Sequence, residues 1–301
     1  MIAALATRVR AGFASDYHYG VAIVLFSAIA WSSTGLFIRI IPLDAWTQLF
    51  WRGFFGGLTA LAFVAMRDRQ HTWRTFRSFG PAAWLFTAFN TAGMLTFITA
   101  LKLTTVAHVT IIYSTMPLAA ALISWVLLKE VPSRSSIVAS VFAAAGVTLT
   151  VVAGVGEGSL DGDMLAIVMT STMVGALVAQ RSGGPIDPVA SAAVAGFACT
   201  LAAAPFATPF ALTSQDLGTL AAFGMVNTGF GFILFFIGAK FIPATVSGLI
   251  GALDAPLAPF WVWLALGETP RLTTIIGGSM VIAAVVGHIL WSSRRGAVAT
   301  H

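Results

Sequence analysis

The chain has 301 residues, of which 58% are hydrophobic and only 9% charged. A soluble domain carries about 25% charged residues, so a soluble globular fold is excluded and a polytopic membrane protein is expected. The formal charge of +5 would suggest a nucleic-acid partner in a soluble protein. Here the basic residues fall in short connections between apolar runs, where they set orientation in the bilayer, and no nucleic-acid partner is expected.

Residues 1–18 include Arg8 and Arg10 but no long apolar core, and read as a short cytoplasmic arm, not a removed signal peptide. Crossing a bilayer takes about 20 apolar residues. Ten such spans can be marked, at 19–40, 46–66, 81–101, 107–128, 136–155, 164–180, 189–208, 220–241, 244–266 and 272–291. The linker 67–77 is the most basic stretch, whereas 156–163 is an acidic, glycine-rich turn without Lys or Arg. Residues 292–301 form a cytoplasmic tail. Cys199, the only cysteine, lies in an apolar run, so neither an intrachain disulfide nor a metal site is expected.

With the N-terminus inside and ten crossings, twelve Lys and Arg fall on the inner side and three (Arg39, Lys102, Arg271) on the outer. Arg52 is the one left within a span. That bias obeys the positive-inside rule, and one missed span would scramble it. The halves also repeat. Lys102 precedes Glu130 by 28 positions, with Pro132 following, and Lys240 precedes Glu268 by 28, with Pro270 following. Asn90-Thr91 and Asn227-Thr228 stand at matching places upstream, and Pro117 aligns with Pro256 to within one residue. Five spans is an odd number, so the second copy enters from the opposite side. The expected fold is all-α and integral to the membrane, with ten transmembrane helices in two inverted-topology five-helix repeats, 19–155 and 164–291. Such repeats are characteristic of carriers with a site near the midplane.

Asp254 is the only acid inside a span, about ten residues into the ninth, hence roughly 15 Å deep at 1.5 Å per residue. A buried carboxylate is expensive in lipid, about 3 kcal/mol on insertion scales. It binds a substrate ammonium, carries a coupling proton, or caps or pairs within a broken helix. Arg52 holds a carboxylate, or snorkels, or pairs with Asp44 or Asp254. Gly53 and Gly57 beside it predict close helix packing. Asn90 and Asn227 are expected to face one another across the pseudo-axis, or each to bond a neighbouring helix. Pro117, Pro256 and Pro259 are hinge candidates. Trp31, Phe230 and Trp261 lie deep enough to line an aromatic-accepting cavity, or else face lipid or pack. His108 and His288 are read as hydrogen-bonded packing residues before proton relays, and Ser32-Ser33-Thr34 as helix-packing hydroxyls before residues lining the path. No Walker A motif, metal-ligand cluster or nucleophile motif is present, so neither an enzyme nor a cofactor is expected. The partners expected are the lipid bilayer and a small-molecule substrate. Oligomeric state is left open, a monomer being compatible with the sequence. A secondary transporter leads, with a channel or facilitator as the alternative and an intramembrane lipid-modifying enzyme last.

The residues Ala107, Pro117, Leu127-Leu128-Lys129-Glu130-Val131-Pro132 and Gly146, and Ala244, Pro256, Leu266-Gly267-Glu268-Thr269-Pro270 and Gly277, resemble the EamA-type branch of the drug/metabolite transporter superfamily. Lys129 departs from that pattern, which has Gly there. The run from Leu253 to Trp263 looks like the aromatic-amino-acid exporter (YddG-like) branch. The resemblance implies ten helices, cytoplasmic termini in a bacterial inner membrane, and export or exchange of small amphipathic metabolites, aromatic amino acids first.

Overall fold

The structure, a computed structural model, describes residues 16–104, 106–129, 131–151, 159–181, 186–267, 269 and 271–298. Residues 1–15 of the expected arm, residues 156–158 of the 156–163 turn, and the repeat residues Glu130, Glu268 and Pro270 lie outside the described residues. Every regular element among the described residues is a helix, with no strand among them.

The first half begins with α1 (Asp16–Ser32) and α2 (Thr34–Ile40), one rod interrupted at Ser33, and continues with α3 (Ala45–Asp68). Asp44 starts α3 as its N-cap, its carboxylate accepting from the N–H groups of Trp46 and Thr47 at 2.9 and 3.0 Å. A short helix, α4 (Thr72–Arg77), occupies the basic linker, and α5 (Pro81–Leu103) follows with its proline in the first turn. Then come α6 (Val106–Tyr113), α7 (Met116–Leu128) and α8 (Arg134–Val151).

The second half has α9 (Leu160–Arg181), α10 (Pro188–Ala203) capped by Asp187, and α11 (Ser214–Phe223). The chain from Gly224 to Phe230 then widens into a π-helical turn that leads into α12 (Gly231–Gly238). The last rods are α13 (Ala244–Gly251) with α14 (Asp254–Leu266), and α15 (Leu272–Val298). Eight stretches among these are long and apolar enough to cross a bilayer.

Two expected boundaries move. The acidic turn at 156–163 is already helical from Leu160, because the Ser159 hydroxyl accepts from the Gly162 N–H at 3.1 Å and Asp161 and Asp163 fill a first turn that favours acids. The tail expected from 292 continues as helix to Val298. A helix need not end at the lipid, and basic residues favour its C-terminus.

Tight packing follows the glycines. A Cβ on Gly53 would lie 2.8 Å from the Gly196 carbonyl, and one on Gly196 the same distance from the Gly53 carbonyl, so α3 and α10 touch backbone to backbone. The expectation for Gly53 and Gly57 is met at this seam. Gly146 on α8 and Gly277 on α15 make a second such seam, and Gly20 on α1 meets Gly238 on α12. Without a hydrophobic driving force between helices in lipid, this close approach is what holds them. Other pairs in extensive contact are α5 with α9, and α1 with α12.

Candidate solute site

Two rods are broken at matching places, between Tyr113 and Met116 and between Gly251 and Asp254. The cause is local. Proline lacks an N–H and its ring crowds the preceding turn. Pro117 and Pro256 each lie in the first turn of the second half-helix, where a proline is tolerated. The turn before each tightens instead. The Thr115 N–H reaches the Ile112 carbonyl at 3.1 Å, and the Leu253 N–H reaches the Ile250 carbonyl at 3.0 Å. Pro259 lies inside α14.

The breaks meet. A Cβ on Gly248 would sit 3.2 Å from Pro117 Cα, and one on Gly251 would sit 4.0 Å from the Tyr113 hydroxyl. Beside this crossing is a cavity of ≈ 20 Å³ lined by Thr110, Tyr113, Ser114, Val147, Gly251, Ala252, Asp254 and Ala255. It has room for about one water. Asp254 makes no hydrogen bond or ion pair among the described residues. A larger groove of ≈ 430 Å³ runs along the α14–α15 seam past Pro256, Pro259, Phe260 and Trp263. It is mostly apolar, Asp254 is not among its walls, and we do not place the site there.

Arg52 projects from α3. Its Nε donates to Thr228 Oγ1 at 2.8 Å, and its guanidinium lies 5.2 Å from the centre of the Phe223 ring. It does not pair with Asp44, which caps its own helix. Nor does it touch Asp254, although the two charges interact through the interior.

Asn227 is fully buried in the π-turn, where Gly224 and Gly229 let the backbone lie against Phe55 and Thr59 of α3. Its Nδ2 donates to Thr34 Oγ1 at 2.5 Å and to the Trp31 carbonyl at 3.0 Å, so it fastens the interruption between α1 and α2. Asn90 donates to the Phe86 carbonyl of its own helix at 2.9 Å. No hydrogen bond joins the two asparagines. In each, the buried Oδ1 has no donor among the described residues. Most buried polar atoms are satisfied, so a matching orphan in each half stands out.

Trp261 Nε1 donates to Ser32 Oγ at 2.7 Å, tying α14 to the end of α1. Trp31 packs on Phe232 and Phe235 with ring centres 5.2 and 4.7 Å away. Phe230 is 52% exposed and lines neither cavity. The structure thus brings Trp31, Trp261, Asn227 and the Ser32–Thr34 hydroxyls together at one interruption, and places Asp254 beside the other two.

Sequence reasoning missed Thr110, Tyr113 and Ser114, whose hydroxyls carry no signal until α6 and α13 cross. It also missed the partner of His108, whose Nδ1 lies 3.0 Å from the Asp163 carboxylate, itself bonded to Thr104. At the opposite end of the rods Arg67 pairs with Asp68 and with Asp187. Among the described residues no group of three or more His, Cys, Asp or Glu could hold a metal.

A helical bundle of apolar rods with interrupted helices around its few buried polar groups is the build of a membrane transporter. The chain belongs to the EamA-like transporter family, whose model matches it twice, over residues 18–152 and 161–290. It is 26% identical over 275 residues, 91% of this chain and 96% of the relative, to a protein of Archaeoglobus fulgidus described as an uncharacterized transporter. A solved crystal structure shares the fold with a TM-score of 0.79 at 17% identity, over 90% of this chain and 97% of that one.

Proposed function

We propose that the protein is an alternating-access secondary transporter for small amphipathic solutes, aromatic amino acids first, built from two inverted five-helix repeats at about 19–155 and 164–291. On this reading α5, 23 residues and about 34 Å long, and α8, 18 residues and about 27 Å long, also cross, which makes ten spans. The helix pairing supports it. A two-fold relating spans 1–5 to spans 6–10 maps the pairs 2–7, 4–9 and 5–10 each onto itself, and spans in each of these pairs are in contact, as helices beside such an axis would be. It also turns the pair 3–6 into 8–1, and both are present.

The polar ties between connections support the same count. Thr47 with Thr208 and Thr104 with Asp163 join residues that ten crossings put outside. Arg67 with Asp187 and Ser136 with His288 join residues put inside. Both termini are then cytoplasmic, in a bacterial inner membrane.

The observation that carries the mechanism is the crossing of the two broken rods. On this topology α7 and α13 are the inner halves and α6 and α14 the outer ones. The inner halves pack together, Gly248 on Pro117, while the outer halves make no comparable seam. That is the arrangement of a carrier shut to the inside. Arg52 and Asp254, opposite charges that do not neutralise one another by contact, suit the carboxylate and ammonium of a zwitterion. The free amide oxygens of Asn90 and Asn227 would accept further donors.

Flux into proteoliposomes tests this. Aromatic amino acids should move saturably and exchange across the membrane, Asp254→Asn and Arg52→Gln should abolish the flux, and Trp46→Phe should leave it intact. Linear flux without saturation would make the protein a channel instead.

A further inference from the structure

We propose that the cavity at the crossing is a small-cation site, which takes either a dehydrated monovalent ion or the ammonium head of the solute. The inference deepens the transporter reading and relies on it only for the site's role in coupling.

The walls supply oxygen and negative charge. Pro117 has no N–H for the Tyr113 carbonyl, and the Leu118 N–H goes to the Thr115 carbonyl at 3.0 Å instead of to Ser114. Across the crossing, the Ala255 N–H goes to the Ala252 carbonyl at 3.3 Å instead of to Gly251, and Pro256 offers no replacement. The carbonyls of Tyr113, Ser114 and Gly251 therefore lack their helical donors, and all three residues line the cavity.

The Ser114 hydroxyl spends its proton on the Ile111 carbonyl at 2.6 Å, which leaves its lone pairs to accept. The Asp254 carboxyl adds two oxygens and, when ionised, a negative charge that no contact cancels among the described residues. The negative C-terminal ends of α6 and α13 abut this point, and so do the positive N-terminal ends of α7 and α14, so the undonated carbonyls and the carboxylate, not a net helix dipole, set the site's charge. Arg52 is not among the lining residues. Unwound carbonyls at half-helix C-termini, joined by a carboxylate, are a cation-binding arrangement. At ≈ 20 Å³ the space admits an ion or an ammonium head but not the body of a solute.

The test is thermal unfolding of the purified protein in detergent, starting in choline chloride and titrating NaCl, KCl or methylammonium chloride at constant ionic strength. A ligand that binds only the folded state raises the midpoint saturably. Na⁺ or methylammonium, or both, should do so. Ser114→Ala should raise the apparent Kd several-fold, and Asp254→Asn, with an unchanged midpoint in choline, should abolish the effect. A response to Na⁺ alone assigns an inorganic ion, and one to methylammonium alone assigns the solute's head. Equal response to every salt, or an undiminished response in Asp254→Asn, overturns the proposal. Should Asp254→Asn not fold, Ser114→Ala and Thr110→Val decide it by the same measure. Amino-acid flux that persists without any saturable cation effect sinks this inference and leaves the transporter reading standing. Saturable cation binding without flux does the reverse.

Discussion

Two glycines of α15 differ only in what faces them, which allows a prediction within one helix. A Cβ at Gly277 would lie 2.5 Å from Thr150 Oγ1 and 2.6 Å from Thr150 N, and closer still to the Gly146 carbonyl. Ordinary contact begins about 1 Å farther out, so Gly277→Ala must push α8 and α15 apart by roughly that much. A gap of 0.5–1 Å forfeits about a quarter to a half of each dispersion contact along a seam, and overpacking of this kind costs about 1–3 kcal/mol. Alanine returns about 1 kcal/mol in helix propensity. At Gly287 a Cβ meets nothing within 4 Å, so only the gain remains there. Gly287→Ala should match or exceed the parent in stability, and Gly277→Ala should fall below Gly287→Ala by the overpacking cost, roughly 1–3 kcal/mol, because the propensity gain is common to both. Loss of helical circular dichroism on titration with sodium dodecyl sulfate in mixed micelles measures both. Equal midpoints, or Gly277→Ala the more stable, would refute the α8–α15 seam.

Lys129 and Gly267 end α7 and α14 in the left-handed conformation, with φ of 59° and 72°. That conformation costs a side chain about 1 kcal/mol, so Lys129→Gly should stabilise and Gly267→Ala destabilise by about that amount in the same titration. The Trp261–Ser32 hydrogen bond should give a coupling of about 0.6 kcal/mol in the double-mutant cycle of Trp261→Phe and Ser32→Ala; strictly additive effects would remove it. With Cys199→Ser as background, Phe210→Cys (native 88% exposed) and Trp73→Cys (native 69% exposed) should react with an impermeant maleimide from opposite faces of sealed vesicles. Labelling from one face would break the ten-span count.

The parts legible in the sequence are those set by neighbours along the chain. Apolar length, the position of Asp254 and the prolines at 117, 256 and 259 are local, and so is the Gly53–Gly57 stripe. The parts that were not legible depend on a second rod. Gly53 announces a close approach, but only the fold says that Gly196 makes it. The prolines announce bends, yet each break falls a turn earlier, because the ring clashes backwards. The π-turn at 224–230 escapes any reading that assumes 3.6 residues per turn, and it is this widening that sets Asn227 against α1 and α2 while Thr228 meets Arg52. Asp44 could have been read as a cap from the Asp-Ala-Trp-Thr order, with no appeal to Arg52.

Burial along the second broken rod changes abruptly at its interruption. All eight residues of α13 are buried, whereas no residue of α14 is. The half-helix that carries Asp254 is therefore the less enclosed one, packed against α1, α2 and α15 and bonded through Trp261 to Ser32, while the half before it is locked in the core. A helix whose turn is already tightened, with prolines that have already given up their hydrogen bonds, loses little more when it tilts there. Tilting α14 about Ala252–Leu253 would carry the Asp254 carboxylate away from the Tyr113 and Ser114 oxygens without disturbing the Gly248–Pro117 contact. On the transport cycle proposed above, Asp254 stands at the joint between a wholly buried segment and a more exposed one, so a cation bound there would resist that tilt.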